Sequence, residues 1–188
     1  MPRVLVPIAT GFEEIEAVCI IDVMRRAGID VIMGSLNEIL LVKGANGITV
    51  QADRCIVGIT ADELDMIVLP GGFDGTNALA EDTTVQGLLK EMDAKGKNIG
   101  AICAAPYALY TAGVLKEGYT CYPGIEEKID VRGYQGDKSA VVQSGNVMTS
   151  RGPGAAICFG LAIVKKLVGD EAYKGLRIGL LAEYCTTV

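Results

Sequence analysis

Two short runs, DMIVLPGG (65–72) and NIGAIC (98–103), constrain the fold more than anything else in this chain. Each is apolar almost continuously rather than at every second residue, and each ends in small residues. A strand apolar on both faces must be covered on both faces, which argues for a mainly parallel sheet between helices. RVLVPIA (3–9) and IDVIMGSL (29–36) repeat the pattern. Between the strands, EEIEAVCIIDVMRRAG (13–28) has helical periodicity, with two arginines in its last turn and Gly28 as a stop. TNALAEDTTVQGLLKEMDAKG (76–96) reads as one helical stretch and AAPYALYTAGV (104–114) as another. ILLVKGANGITV (39–50) and AVVQSGNVMTS (140–150) read as hairpins around Asn46-Gly47 and Gly145-Asn146. The segment 117–138 is glycine-rich and irregular, and GAAICFGLAIVKKLVG and DEAYKGLRIGLLAEY close the chain as helices. With no repeat, low-complexity tract or linker, the 188 residues are expected to form a single α/β domain, 1–188.

Half of the residues are hydrophobic (50%) and the mean hydropathy is +0.35, which fits buried strands or a large subunit interface. No apolar run reaches the ~20 residues of a membrane span, so no membrane partner is expected. The start, MPRVLVPIATGFEE, lacks the features of a signal peptide, and a cytoplasmic location is expected. The net charge is −6, and the basic pairs Arg25-Arg26 and Lys165-Lys166 fall on helices as solvated faces. Without a basic stripe, nucleic acid is not an expected partner.

The six cysteines form no C-x-x-C pair, and the chain has no histidine to help them hold a metal. No metal and no cofactor are expected. A disulfide scaffold is not expected in a chain of this length without a secretion signal. Cys19, Cys55, Cys121, Cys158 and Cys185 are therefore read as small buried hydrophobes.

Ligands of a parallel sheet bind outside the carboxyl ends of its strands. ATGFEEIE (9–16), LPGGFDG (69–75) and ICAAP (102–106) arrive there. Cys103 stands where a buried strand meets a helix, flanked by Ala101, Ala104 and Ala105, with Pro106 in the first helical turn. Small neighbours around a nucleophile at such a junction are the mark of a nucleophile elbow. The helix N-terminus is expected to lower the thiol pKa to roughly 3.5–7.5. The N–H of Ala104 and the glycines Gly71 and Gly72 are candidate donors to a developing oxyanion, although a glycine pair also suits a plain tight turn. The lack of histidine removes a Cys-His dyad, and with it papain-like proteolysis and amidotransferase triads. Carboxylates remain as the acid/base. Glu13 and Glu14 are read as complements to the helix dipole. Glu16, among apolar neighbours, is the candidate whose buried carboxyl keeps a proton and serves the thiolate.

These residues resemble a known family. EEIEAV, DVMRRAGI, IVLPGG, AICAAP and TSRGPG, in this order and spacing over the whole chain, resemble the ThiJ/PfpI superfamily, and within it the parkinsonism-associated DJ-1 branch with its bacterial relatives. The resemblance implies a flavodoxin-like fold and a homodimer. It implies that Cys103 is the reactive, oxidation-prone elbow cysteine and that Glu16 is the protonated carboxyl bonded to it. Gly72 and Ala104 match the backbone donors of the pocket, while Arg26 and the SRGPG loop, with Arg151, match positions at or near the dimer interface. Two positions depart from the pattern: Tyr122, before Pro123, stands where many members have histidine, and Asn46 aligns with an arginine of an interfacial anion site. The resemblance implies either of two activities. One is a glyoxalase III-like or deglycase-like conversion of methylglyoxal or its adducts without a cofactor. The other is non-enzymatic: oxidation of Cys103 to sulfinate in a stress sensor or redox-regulated chaperone. A vestigial domain is the third, blander reading.

Overall fold

A computed structural model of the chain describes residues 1–186. Nine strands and six helices follow in the order β1 (Arg3–Ile8), α1 (Glu14–Arg26), β2 (Asp30–Ser35), β3 (Leu41–Lys43), β4 (Thr49–Gln51), β5 (Arg54–Cys55), β6 (Met66–Leu69), α2 (Phe73–Glu81), α3 (Thr83–Ala94), β7 (Asn98–Ile102), α4 (Pro106–Thr111), β8 (Val141–Ser144), β9 (Val147–Ser150), α5 (Ala156–Leu167) and α6 (Asp170–Gly179). Seven strands form one sheet in the order β5-β2-β1-β6-β7-β9-β8, parallel except for β8, which pairs antiparallel with β9. The central strands are buried end to end, as their uninterrupted apolar sequences require: Val4, Leu5, Val6, Met66, Ile67, Val68, Leu69 and Ile99 are all 0% exposed. Helix α1 packs on α5 and α5 on α6, while α2 packs on α3 and α4. The α1–α5 approach is close because residue 160 is glycine: a Cβ there would lie 2.9 Å from Val23 Cβ. This is the flavodoxin-like, doubly wound sheet.

Chain order reverses direction at β1. From it the sheet grows outward through β2 to β5 on one side, and through β6, β7 and β9 on the other. The crevice at such a switch point, beyond the carboxyl ends of β1 and β6, is where ligands of this fold class bind.

Four expectations change. The stretch 76–96 is two helices, because the Asp82 side chain caps a new one by accepting the Val85 N–H at 2.9 Å. The edge strand β5 is added, too short at two residues to show any periodicity in the sequence. The last helix ends at Gly179, short of 184. Lastly, Cys158 and Cys185, each buried, are joined by a disulfide with Cα atoms 5.2 Å apart. Cys158 lies in the first turn of α5, and α6 folds back to bring Cys185 beside it. Of the other three cysteines read as core, Cys121 is buried, and burial pushes its thiol up to about 12. Cys19 and Cys55 are partly exposed.

Candidate active site

Glu16 enters the site from the first turn of α1. That turn is fixed by its cap: the Glu13 carboxylate accepts the Glu16 N–H at 2.8 Å. Glu16 is 0% exposed, and its Oε2 accepts the Gly71 N–H at 2.8 Å. Oε1 is buried with no hydrogen-bond partner among the described residues. Burial pushes the carboxyl up to about 7, and the negative charge of Glu13 acts the same way. Bonds with the Cys103 thiol and the Gly71 N–H pull against that rise.

Cys103 is the first residue after β7, with φ +62°. A non-glycine residue held in this left-handed region costs about 1–2 kcal/mol. Both of its peptide groups are anchored: its N–H donates to Ser150 O at 3.0 Å, and its C=O accepts the Tyr122 N–H at 2.8 Å. Here the expectation of a low thiol pKa is corrected. Burial pushes the thiol up and an ionised Glu16 adds to it, while the N–H groups of Gly72 and Ala104 act downward on the sulfur. Helix α4 begins only at Pro106, so Cys103 precedes the helix by three residues. The thiol and the carboxyl titrate as one unit, and the second proton is the hard one to remove.

Gly71 explains how the two side chains meet. A Cβ on residue 71 would lie 2.6 Å from Cys103 Cβ, 2.7 Å from Glu16 Oε2 and 3.0 Å from Cys103 Sγ. Residue 71 must therefore be glycine for acid and thiol to share this space. Gly72 has φ +87°, and a Cβ there would collide with the Gly11 carbonyl, so it too is held to glycine. The glycine pair thus shapes the site rather than merely ending a strand.

The remaining candidates stand apart from this pair. Tyr122, Pro123 and Arg151 line a separate cavity of about 520 Å³ with Ser139, Asp137 and the 152–155 loop. Tyr122 links it to the cysteine through the backbone bond above, and its ring packs edge-on to Phe73 at 6.0 Å. The Arg151 Nε is buried without a partner among the described residues. Arg26 does not join the site within this chain: it lies at the far end of α1, exposed and paired with Asp22 at 2.7 Å. Among the described residues, no group of three or more His, Cys, Asp or Glu is placed to hold a metal ion, and no helix is long and apolar enough to cross a membrane.

Two glutamates do more than complement a dipole. Glu13 is the cap that fixes Glu16, a role hinted at by its place three residues before another glutamate. Glu14 is buried and bonded to the β3–β4 hairpin, not displayed to the helix dipole. No local signal in the sequence could show that, because its partners lie more than thirty residues away. Phe73, which braces Tyr122, was also unforeseen.

Residues 2–166 match the DJ-1/PfpI family. The Drosophila melanogaster protein dj-1beta is 39% identical over 181 residues, covering 96% of this chain and 97% of that one. Its crystal structure superposes with a TM-score of 0.92. Toxoplasma gondii DJ-1 in an oxidised form is 37% identical, with a TM-score of 0.90 over 96% of this chain and 98% of that one. The Caenorhabditis elegans protein named glutathione-independent glyoxalase DJR-1.2 is 38% identical over 165 residues, 87% of each chain. By its sequence and its fold, this chain belongs to the DJ-1/PfpI family.

Proposed function

We propose that the protein is a glyoxalase that converts methylglyoxal to lactate without glutathione. The observation that carries this reading is the convergence of a fully buried Glu16 and the Cys103 thiol on the space left empty by Gly71. The name of the Caenorhabditis elegans relative lends it support.

The chemistry balances with these residues alone. In the form of the pair that holds one proton between Glu16 and Cys103, Sγ adds to the aldehyde carbon and that proton passes through Glu16 to the new oxygen, forming a hemithioacetal and leaving Glu16 a carboxylate. The backbone N–H groups of Gly72 and Ala104, which act on the sulfur in the free site, steady that oxygen as its charge develops. Glu16, now a carboxylate, takes the hydrogen of the former aldehyde carbon as a proton, and an enediolate results. Returning that proton to the neighbouring carbon, while the proton on the first oxygen passes to the second, gives a lactoyl thioester, which water cleaves to lactate and free Cys103. A carboxyl with a pKa near the working pH suits both giving and taking the proton. The same attack on an aldehyde-derived adduct of an amine or thiol would give a deglycase-like reaction.

The test is lactate formation from methylglyoxal by purified protein in the absence of glutathione. Cys103→Ala and Glu16→Ala should each abolish it, and unchanged turnover in Cys103→Ala overturns the reading.

A second reading rests on the same donors. The Gly72 and Ala104 N–H groups and a protonated Glu16 would also hold the oxygens of a Cys103 sulfinate. Mild peroxide should then add two oxygens at Cys103 before any other cysteine, and peptide mapping that finds another site first removes this reading.

A further inference from the structure

Burial favours a proton on Glu16, and the hydrogen bonds around it show what fixes the carboxyl in that buried place. Three of these bonds close a ring. The Glu13 carboxylate accepts the Glu16 N–H at 2.8 Å, the Glu13 N–H donates to the Gly71 carbonyl at 3.0 Å, and the Gly71 N–H donates to Glu16 Oε2 at 2.8 Å. Glu13 thereby ties the start of α1 to the turn after β6 and sets where the Glu16 carboxyl lies against it. The ring also places a second carboxylate beside the buried one.

We propose that Glu13 is the positioning residue of the Glu16–Cys103 pair: it caps α1 at Glu16, ties that cap to the Gly71 turn, and sets a second negative charge beside the buried carboxyl. The groups that act on Glu16 come from three elements: Glu13 from the α1 cap, Cys103 from the turn after β7, and the Gly71 N–H from the turn after β6. Glu14, the third glutamate of the turn, is bound by three donors of the hairpin and is not among the groups that act on Glu16. Of the charged neighbours, Glu13 is thus the one that disfavours ionisation of Glu16 independently of the thiol. A cap alone requires no charge, since asparagine and serine cap helices as well as aspartate does. The choice of a carboxylate here therefore has a consequence that capping does not explain.

The inference rests on the glyoxalase reading only in that both need a proton on Glu16, and its test needs no substrate. The Glu16 titration is followed by NMR of isotope-labelled glutamate carboxyl carbons, with its resonance assigned by its loss in Glu16→Gln. The neutral caps Glu13→Asn and Glu13→Ser should lower the Glu16 midpoint by about half a pH unit or more, and the charged cap Glu13→Asp should leave it in place. Two neutral variants are used so that one that fails to fold does not end the test. An unchanged midpoint in the neutral variants overturns the proposal, and so does an equal fall in Glu13→Asp. Absence of methylglyoxal turnover would count against the proposed reaction while leaving this titration to decide on Glu13.

Discussion

Glu14 accepts hydrogen bonds from both the backbone and the side-chain amide of Asn46, at 2.7 and 2.9 Å, and a longer one from the Ile48 N–H at 3.3 Å. The hairpin approaches closely enough that a side chain on Gly44 would collide with the carboxylate. These bonds hold the Glu14 carboxyl below its ordinary value of 4.5 despite a burial cost acting the other way. Asn46→Ala removes one bond to a charged acceptor and should lower stability by about 1.5–3 kcal/mol in urea unfolding. The loss should shrink in acid. A carboxyl whose folded pKa is depressed contributes fully above its unfolded value, and that contribution disappears as pH falls through the folded one.

Glu16 imposes the opposite pH dependence. Its folded value of about 7 lies above 4.5, so its contribution is fully present below 4.5 and is lost as pH rises through 7. Above that, the buried anion costs on the order of 3 kcal/mol. Glu16→Gln should therefore flatten stability between about pH 4.5 and 7 and be more stable than the wild type at pH 8, while turnover falls about 100-fold or more. Chemical unfolding at a series of pH values checks the first part, and a lactate assay the second.

The left-handed backbone at Cys103 separates two nucleophile-free variants. Cys103→Ala keeps the strain and Cys103→Gly relieves it, so the glycine variant should be more stable than the alanine variant by about 1 kcal/mol. Equal unfolding midpoints would show that the turn is not strained.

Gly71→Ala puts a methyl group where Glu16 and Cys103 meet. Forcing atoms into that space should cost about 1–3 kcal/mol of stability. Activity should fall much further than the stability loss explains, because acid and thiol are pushed apart. Comparing melting temperature with turnover distinguishes this from simple unfolding.

The Cys158–Cys185 bridge closes a loop over a separation of 27 residues. Its reduction should remove about 3 kcal/mol of stability. The melting temperature of the wild type should drop in dithiothreitol, and that of Cys185→Ser should start low and not respond.

The parallel sheet could be read from the strands themselves, because β1, β6 and β7 are apolar at nearly every residue and only double coverage accommodates that. Cys103, Glu16 and the glycine pair were also legible, since a small-residue elbow and a carboxylate flanked by apolar residues are local signals. What escaped depends on contacts between distant segments. Glu14 looked like Glu13 until the hairpin supplied its donors, and Cys158 looked like any core cysteine until α6 folded back. The thiol was misjudged for a related reason: its distance from α4 and its closeness to Glu16 are properties of the folded turn. The break at Asp82, like the Glu13 cap, had a local signal: an aspartate before a threonine pair, obscured by the long helical pattern around it.

The two anchored peptide groups of Cys103 give the site a filter. With its N–H on Ser150 and its carbonyl on Tyr122, the residue cannot swing outward to meet a bulky partner, and its 6% exposure leaves a narrow approach. Such a sulfur should react with reagents of a few heavy atoms and not with the flat surface of another folded protein. Size is then expected to be the first requirement that this cysteine sets on whatever reaches it.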